Sequence, residues 1–267
     1  MTNNRVTWLS PDDTPDSFPP VTMALTDPNG LLAAGGDLDA QRLLSAYRKG
    51  IFPWYEEGQP ILWWSPDPRC VFLAGDFHAS RRFQRELRRS SAEIRFNTAF
   101  ADVIRDCAGP RRSEQGTWIT PAMMTSYEDL HQNGWAHSIE VWQSGKLAGG
   151  LYGLAIGKAF FGESMFSSIP NASKMALMYV ANQLRHGEIE LLDCQVESPH
   201  LTGLGARVIP RSDFTVRLES ACGTGQSPKT GQMALFPVRT CCPIDVMTHC
   251  ITSAVSAQFA SLSTREN

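Results

Sequence analysis

No stretch of this 267-residue chain stays apolar long enough to cross a bilayer, and its first residues, MTNNRVTWLSPDD, lack the basic and apolar regions of a secretory signal. The expectation is a cytoplasmic protein with no membrane partner. No CxxC pair occurs, and the seven cysteines (Cys70, Cys107, Cys194, Cys222, Cys241, Cys242 and Cys250) are odd in number and scattered. With no histidine at finger spacing beside Cys241-Cys242, a structural zinc site is disfavoured and reduced thiols fit. Gly35-Gly36 is not followed by GxxxxGK(S/T) or GxGxxG, so it reads as a backbone turn rather than a phosphate loop. There is no basic excess either. A net charge of −3 excludes a generally basic nucleic-acid binder, although positive charge can still be concentrated locally. A hydrophobic content of 42% with 19% charged residues is ordinary for a globular protein, and the length allows one large or two ordinary domains.

The chain is organised around residues 149–211. Leu151 to Phe161 (LYGLAIGKAFF) reads as two short buried strands turning near Gly157-Lys158, with Glu163 at the end of the second. Asn171 is a good N-cap, and apolar residues at Met175, Leu177, Met178, Val180, Ala181 and Leu184 mark a helix over 172–185, closed by His186-Gly187. Ile189 to Leu192 then forms a short strand ending in Asp193-Cys194-Gln195. If that strand returns parallel to the one before the helix, Glu163 and Asp193 lie side by side, and two carboxylates with an amide can handle protons. Alone, each carboxylate reads as a solvated turn residue or a cap, and only their joint placement favours chemistry.

Earlier in the chain, Asp39 caps a helix through Arg48, with Tyr47 facing inward. Residues 51–69 (IFPWYEEGQPILWWSPDPR) concentrate Phe52, Trp54, Tyr55, Trp63 and Trp64; this is either core packing beneath a loop or a stacking platform for a nucleobase. The stiff Ser65-Pro66-Asp67-Pro68 segment marks a domain boundary. Ser80 caps a helix on which Arg81, Arg85, Arg88 and Arg89 share one face, a basic stripe suited to phosphate contact or simply solvated. Residues 95–143 read as strand, helix from Thr98 to Cys107, loop, helix from Pro121 capped by Thr120, and strand. Beyond Leu218 regular signals fade, and a weakly ordered extension is expected over 219–267.

The motifs GLLAAGGDL (30–38), AYRKGIFPW (46–54), ILWWSPDPR (61–69), GTWIT (116–120), HSIEVW (137–142), GGLYGLAIG (149–157), FFGESMFS (160–167), NASK (171–174), DCQ (193–195) and LGARVIPR (204–211) together resemble the leucyl/phenylalanyl-tRNA–protein transferases, in order over about residues 5–218. The resemblance implies an α+β protein: a small N-terminal domain (1–68) with α/β structure, and a larger domain (69–218) with a GNAT-like mixed sheet flanked by helices. It implies an enzyme that moves Leu or Phe, and less well Met, from its charged tRNA to the N-terminal Arg or Lys of acceptor proteins. Those proteins are thereby marked for degradation through the N-degron pathway, and no acyl-CoA, ATP, other cofactor or metal is used. Nothing in the sequence argues for an oligomer, so a monomer is the default expectation. It gives Asp193 and Gln195 a relay in which Asp193 polarises Gln195 toward the amine, with Glu163 helping to hold the substrates. A neutral amide is a very weak base, which favours orientation over proton uptake for Gln195. Tyr47, Trp54 and Trp118 would embrace the terminal adenosine. Leu151, Phe160, Met165, Leu177, Val180 and Leu192 would line the pocket for the Leu or Phe side chain. Arg81, Arg85, Arg88 and Arg89 match the family's tRNA-contacting cluster, although RRFQRELRR is less varied than the family's helix and the C-terminal extension is longer.

Two other functions compete. An acyl-CoA-dependent N-acetyltransferase wants a glycine-rich turn before the central helix, and Ser168-Ile169-Pro170-Asn171-Ala172-Ser173 has no glycine. A non-catalytic RNA-binding module would use the arginines and tryptophans but leave Glu163, Asp193 and Gln195 without a task.

Overall fold

The computed structural model describes residues 5–109 and 117–223 and the backbone of Cys242–Pro243. The strands before Pro68 form one sheet: β1 (Thr7–Leu9), β2 (Leu31–Gly35), β3 (Phe52–Pro53) and β4 (Leu62–Trp64), in the order β1-β2-β4-β3, with only β1 and β2 parallel. The later strands form a second: β5 (Arg69–Phe72), β6 (Glu93–Phe96), β7 (Ala136–Gln143), β8 (Lys146–Ile156), β9 (Ala159–Ser167), β10 (Leu191–Asp193), β11 (Arg207–Ile209) and β12 (Cys242–Pro243), in the order β11-β5-β10-β9-β8-β7-β6-β12. Among these, β9 and β10 alone run parallel. Seven helices occur among the described residues: α1 (Ala40–Arg48), α2 (Arg81–Leu87), α3 (Phe100–Cys107), α4 (Pro121–Gln132), α5 (Ala172–His186), α6 (Pro199–Thr202) and α7 (Arg211–Cys222). The whole is a mixed α/β architecture consistent with the α+β class.

Strand alternation sorts the core into two parts. Tyr152, Leu154 and Ile156 of β8 and Phe161 of β9 pack with α1, α3, α4, α7 and the small sheet, so one apolar cluster runs from Leu9 and Trp63 to Phe214. Leu151, Ala155 and Phe160 point to the other face, beneath α5, with Phe83 of α2 and Leu201 of α6. Each such fully buried Leu or Phe contributes about 1.5–3 kcal/mol, so α5 is held by its apolar face rather than by helix propensity. That helix is the crossover that returns β10 parallel to β9, with Asp193 beside Phe161.

Several local expectations hold. Asp39, Ser80 and Thr120 accept the amides of Gln41, Phe83 and Met123 and cap α1, α2 and α4. Three need correction. The third helix begins at Phe100, not Thr98, because the buried carboxylate of Glu140 accepts the amides of Thr98 and Ala99, each at 2.8 Å, and caps it from a neighbouring strand. Asn171 has φ +66° and its side chain donates to Glu86; Ser167 Oγ instead accepts the amide of Ser173 at 2.8 Å. The expected extension starts too early, since 219–222 complete α7 around buried Leu218 and Ala221. Apart from the Cys242–Pro243 backbone, which pairs with β6, the order expected of the remaining tail lies outside the described residues.

Candidate active site

Glu163 is not at a strand end but midway along β9, and a β-bulge puts it there. Tyr152 pairs with Ser164 and Gly153 with Gly162, which leaves Glu163 as the extra residue. Glycine is required at 153, since a Cβ would collide with the carbonyl of Phe161 and the ring of Phe160. The extra residue also lets Phe160 and Met165, five positions apart, pack on the same α5 face.

Half-buried, Glu163 meets two tyrosines. Tyr47 of α1 donates to Oε1 at 2.8 Å and Tyr127 of α4 to Oε2 at 3.0 Å; with each hydroxyl's single proton directed at the carboxylate, the two hydroxyl oxygens stand in contact with each other. Burial pushes the carboxyl up to about 7, against the opposing pull of both tyrosines. A carboxylate near neutrality is suited to taking and returning a proton. The same burial, with the charge of Glu163 next in effect, holds both tyrosine hydroxyls well above their ordinary value, so they remain donors. Tyr47 has no exposed surface and packs edge-on to Phe161 at 5.0 Å. It therefore has no face to offer an adenine, and the direct part in embracing the terminal adenosine expected of it gives way to a bond to Glu163. Tyr127 was not singled out from the sequence; its spacing with Met123 and Leu130 on the core face of α4, where a hydroxyl needs a partner, was the available signal.

Asp193 ends β10 wholly buried, and Arg69 at the start of β5 grips it with Nε on Oδ1 at 2.8 Å and Nη2 on Oδ2 at 2.6 Å. The contact of Asp193 with Gln195 runs through the backbone, as Oδ1 accepts the Gln195 amide at 2.9 Å. Gln195 adopts φ +55°, and its side-chain amide donates to Glu163 Oε1 at 3.3 Å. Glu163 and Gln195 are thus brought together directly, and Asp193 joins them from beneath. Arg69 too was missed; a charged residue opening the apolar run RCVFL was the hint.

All six residues expected to form a side-chain pocket line one cavity of about 100 Å³: Leu151, Phe160, Met165, Leu177, Val180 and Leu192, completed by Leu201 and Cys194. Beside it lies a wider cleft of about 470 Å³, lined by Phe52, Pro53, Trp54, Trp118, Val196, Glu197 and Ser198. Glu163, Ser164, Met165, Cys194 and Gln195 line both spaces, so the carboxylate and amide stand at their junction. Burial, then the nearby Cys70 thiol and Asp193, raise the Cys194 thiol well above its ordinary value, leaving a neutral lining group and no nucleophile at neutral pH. Arg81, Arg85, Arg88 and Arg89 are all exposed and, among the described residues, unpaired with carboxylates, since Glu86 takes Arg82 at 2.8 Å. They line neither space. Among the described residues, no group of three His, Cys, Asp or Glu is placed to hold a metal, and no helix is long and apolar enough to cross a membrane.

Comparison with known proteins agrees along the chain. Residues 71–219 match the family model described as leucyl/phenylalanyl-tRNA protein transferase, and 36–67 match the model of that family's N-terminal domain. Relatives named leucyl/phenylalanyl-tRNA–protein transferase include one from Stutzerimonas stutzeri, 54% identical over 80% of this chain and 93% of its own length. Another, from Pseudomonas paraeruginosa, is 54% identical over 82% and 98%, and one from Nitrosospira multiformis is 51% identical over 80% and 91%. With motifs, site and relatives in accord, the chain belongs to the leucyl/phenylalanyl-tRNA–protein transferase family of aminoacyltransferases.

Proposed function

We propose that this enzyme transfers Leu or Phe, and less well Met, from its tRNA ester to the α-amino group of proteins that begin with Arg or Lys, marking them for degradation through the N-degron pathway. The observation that carries this reading is the junction itself: an apolar cavity meets an aromatic-lined cleft where Glu163 and Gln195 stand. The amino-acid side chain enters the cavity, which selects by apolar size and shape. The terminal adenosine lies between Trp54 and Trp118. The exposed arginines Arg81, Arg85, Arg88 and Arg89 take backbone phosphates of the tRNA. In this reading the larger sheet with α5 is a GNAT-like aminoacyl-transfer platform.

In the transfer step, the acceptor nitrogen attacks the ester carbonyl carbon, a C–N bond forms and the bond to the ribose oxygen breaks. Glu163 receives one proton from the ammonium and returns it to the departing 3′ oxygen, while the second proton that the nitrogen loses as the amide forms passes to solvent, so the enzyme ends unchanged. Tyr47 and Tyr127 keep the carboxylate in place, and Gln195 orients the amine more than it takes a proton. Asp193 supports Gln195 from below. Glu163 and Glu197 make the cleft favourable to a cationic N-terminus.

The test is transfer of radiolabelled leucine from charged tRNA to a peptide beginning with Arg, without ATP, CoA or added metal. Transfer that fails with a peptide beginning with Asp supports the reading. Bound tRNA without transfer refutes it.

A further inference from the structure

The Arg69–Asp193 pair has no part in the proton transfer proposed above, yet it is the most heavily built polar feature near the site. Neither side chain has exposed surface. Beyond its two bonds to Asp193, Arg69 donates from Nη1 to the carbonyl of Gly50 at 3.0 Å. Its guanidinium lies against the ring of Phe52 at 4.8 Å and that of Phe214 at 4.5 Å. Gly50 must be glycine for this arrangement: it has φ +74°, and a Cβ would stand 2.7 Å from the Phe214 ring. The turn after α1, strand β10 and helix α7 therefore all converge on one guanidinium.

Stability alone does not account for such a pair, because a buried ion pair gains little over well-packed apolar side chains. Its geometry points elsewhere. Both oxygens of Asp193 are engaged on protein donors, and Asp193 lines neither the cavity nor the cleft, whereas Gln195 lines both. The Asp193 bond to the Gln195 amide, and the Cys70 amide on the Gln195 carbonyl at 3.1 Å, pin a non-glycine residue at positive φ. We infer that Arg69 is a positioning residue for the transfer reaction, acting through Asp193 to hold the Gln195 backbone so that its side-chain amide faces Glu163 and the incoming amine. Asp193 then serves geometry rather than acting as an electronic relay. This rests on the transfer reading above.

A displacement of about 1 Å at a reacting centre costs on the order of 100-fold in rate. The experiment measures kcat and KM separately, per folded molecule, for leucine transfer from charged tRNA to an Arg-initiated peptide by the full chain. Its variants are Arg69→Met, Arg69→Lys, Asp193→Asn, Arg69→Met with Asp193→Asn, and Phe214→Leu. Arg69→Met and Asp193→Asn are each expected to lower kcat on the order of 100-fold with KM for tRNA within about threefold, and the double variant to lose no more than the worse single one. Arg69→Lys, which keeps the charge but not the fork, is expected to recover only part of the rate. Phe214→Leu keeps both ion-pair partners and removes one face of their clamp, so it decides the matter if Arg69→Met does not fold: per folded molecule, a several-fold lower kcat with KM for tRNA within about threefold supports the inference, and a wild-type kcat overturns it. Wild-type kcat in Arg69→Lys beside a collapse in Asp193→Asn also overturns it, since Asp193 would then act alone. Absence of transfer by the wild-type enzyme would instead refute the functional reading itself.

Discussion

Replacing Glu163 by Gln separates the base from everything else the site does. The change keeps the shape and leaves one carbonyl acceptor for the hydroxyls of Tyr47 and Tyr127, but removes a group whose ionisation falls near neutrality. Loss of a positioned general base costs roughly 10²- to 10⁴-fold in rate. The pH profile is more telling than the rate. In the wild type, transfer requires ionised Glu163, so kcat rises with pH through about 7. In the variant, the amine must lose its proton to solvent, and the limb moves to the α-amino group's own range, about 7.7–8.0. Stability changes in the opposite sense to activity. A carboxyl whose folded value is raised from 4.5 to about 7 stabilises the fold below 4.5, and that contribution disappears as pH rises through 7. At pH 8 the charged Glu163 costs at most about 3 kcal/mol, and less once solvent at the cleft is counted. Glu163→Gln is therefore expected to melt higher than the wild type at pH 8 and to converge with it below pH 5. Leucine transfer measured from pH 5.5 to 9, beside thermal melts, tests both halves. A variant within threefold of the wild-type rate, with its limb at the same pH, would refute the assignment of Glu163 as base.

Tyr127→Phe removes a donor to Glu163 Oε2 and so raises the carboxyl further; a hydrogen bond to a charged group is worth about 1.5–3 kcal/mol, and the rising limb of the rate profile is expected about one pH unit higher. An unmoved limb would separate Tyr127 from the base. Exchanging Arg81, Arg85, Arg88 and Arg89 for Ala is expected to weaken binding of charged tRNA and to flatten the salt dependence by about 0.7–0.9 per lost phosphate contact. Transfer from a donor as short as an aminoacyl-adenosine should change less than threefold, and equal losses with both donors would count against phosphate contact. Gly153→Ala meets backbone at the bulge; urea denaturation should show a loss of more than about 2 kcal/mol together with lower kcat, and a neutral result would mean that the bulge relaxes freely.

Much of the site's placement was legible because it rests on local periodicity. The helical spacing from Met175 to Leu184 marked α5, the short apolar strand after it marked β10, and a parallel return of that strand was enough to bring Asp193 toward Glu163. The six apolar residues lining one cavity came from family resemblance, and strand and helix alternation explains why they converge under α5. What stayed hidden depends on pairings across long separations. Arg69 and Asp193 are 124 positions apart, and Tyr127 and Glu163 are 36 apart on a helix and a strand whose packing no local pattern reports. The cap of α3 was misjudged for the same reason, because Glu140 reaches it from 42 positions away.

The bulge at Glu163 shows how a one-residue irregularity couples these parts. Had β9 kept strict alternation, Phe160 and Met165 would lie on opposite faces, and the cavity under α5 would lose one wall. With the extra residue, Phe161 and Glu163 share the face of Tyr47 while Met165 swings back beside Leu151, directly opposite it in the β8 register. One inserted residue thus completes the apolar cavity on one side of the sheet and delivers the carboxylate to its tyrosines on the other. The glycine at 153, which looks like a weak point in a buried strand pair, is what allows that division, and it places Glu163 where the cavity ends and the cleft begins.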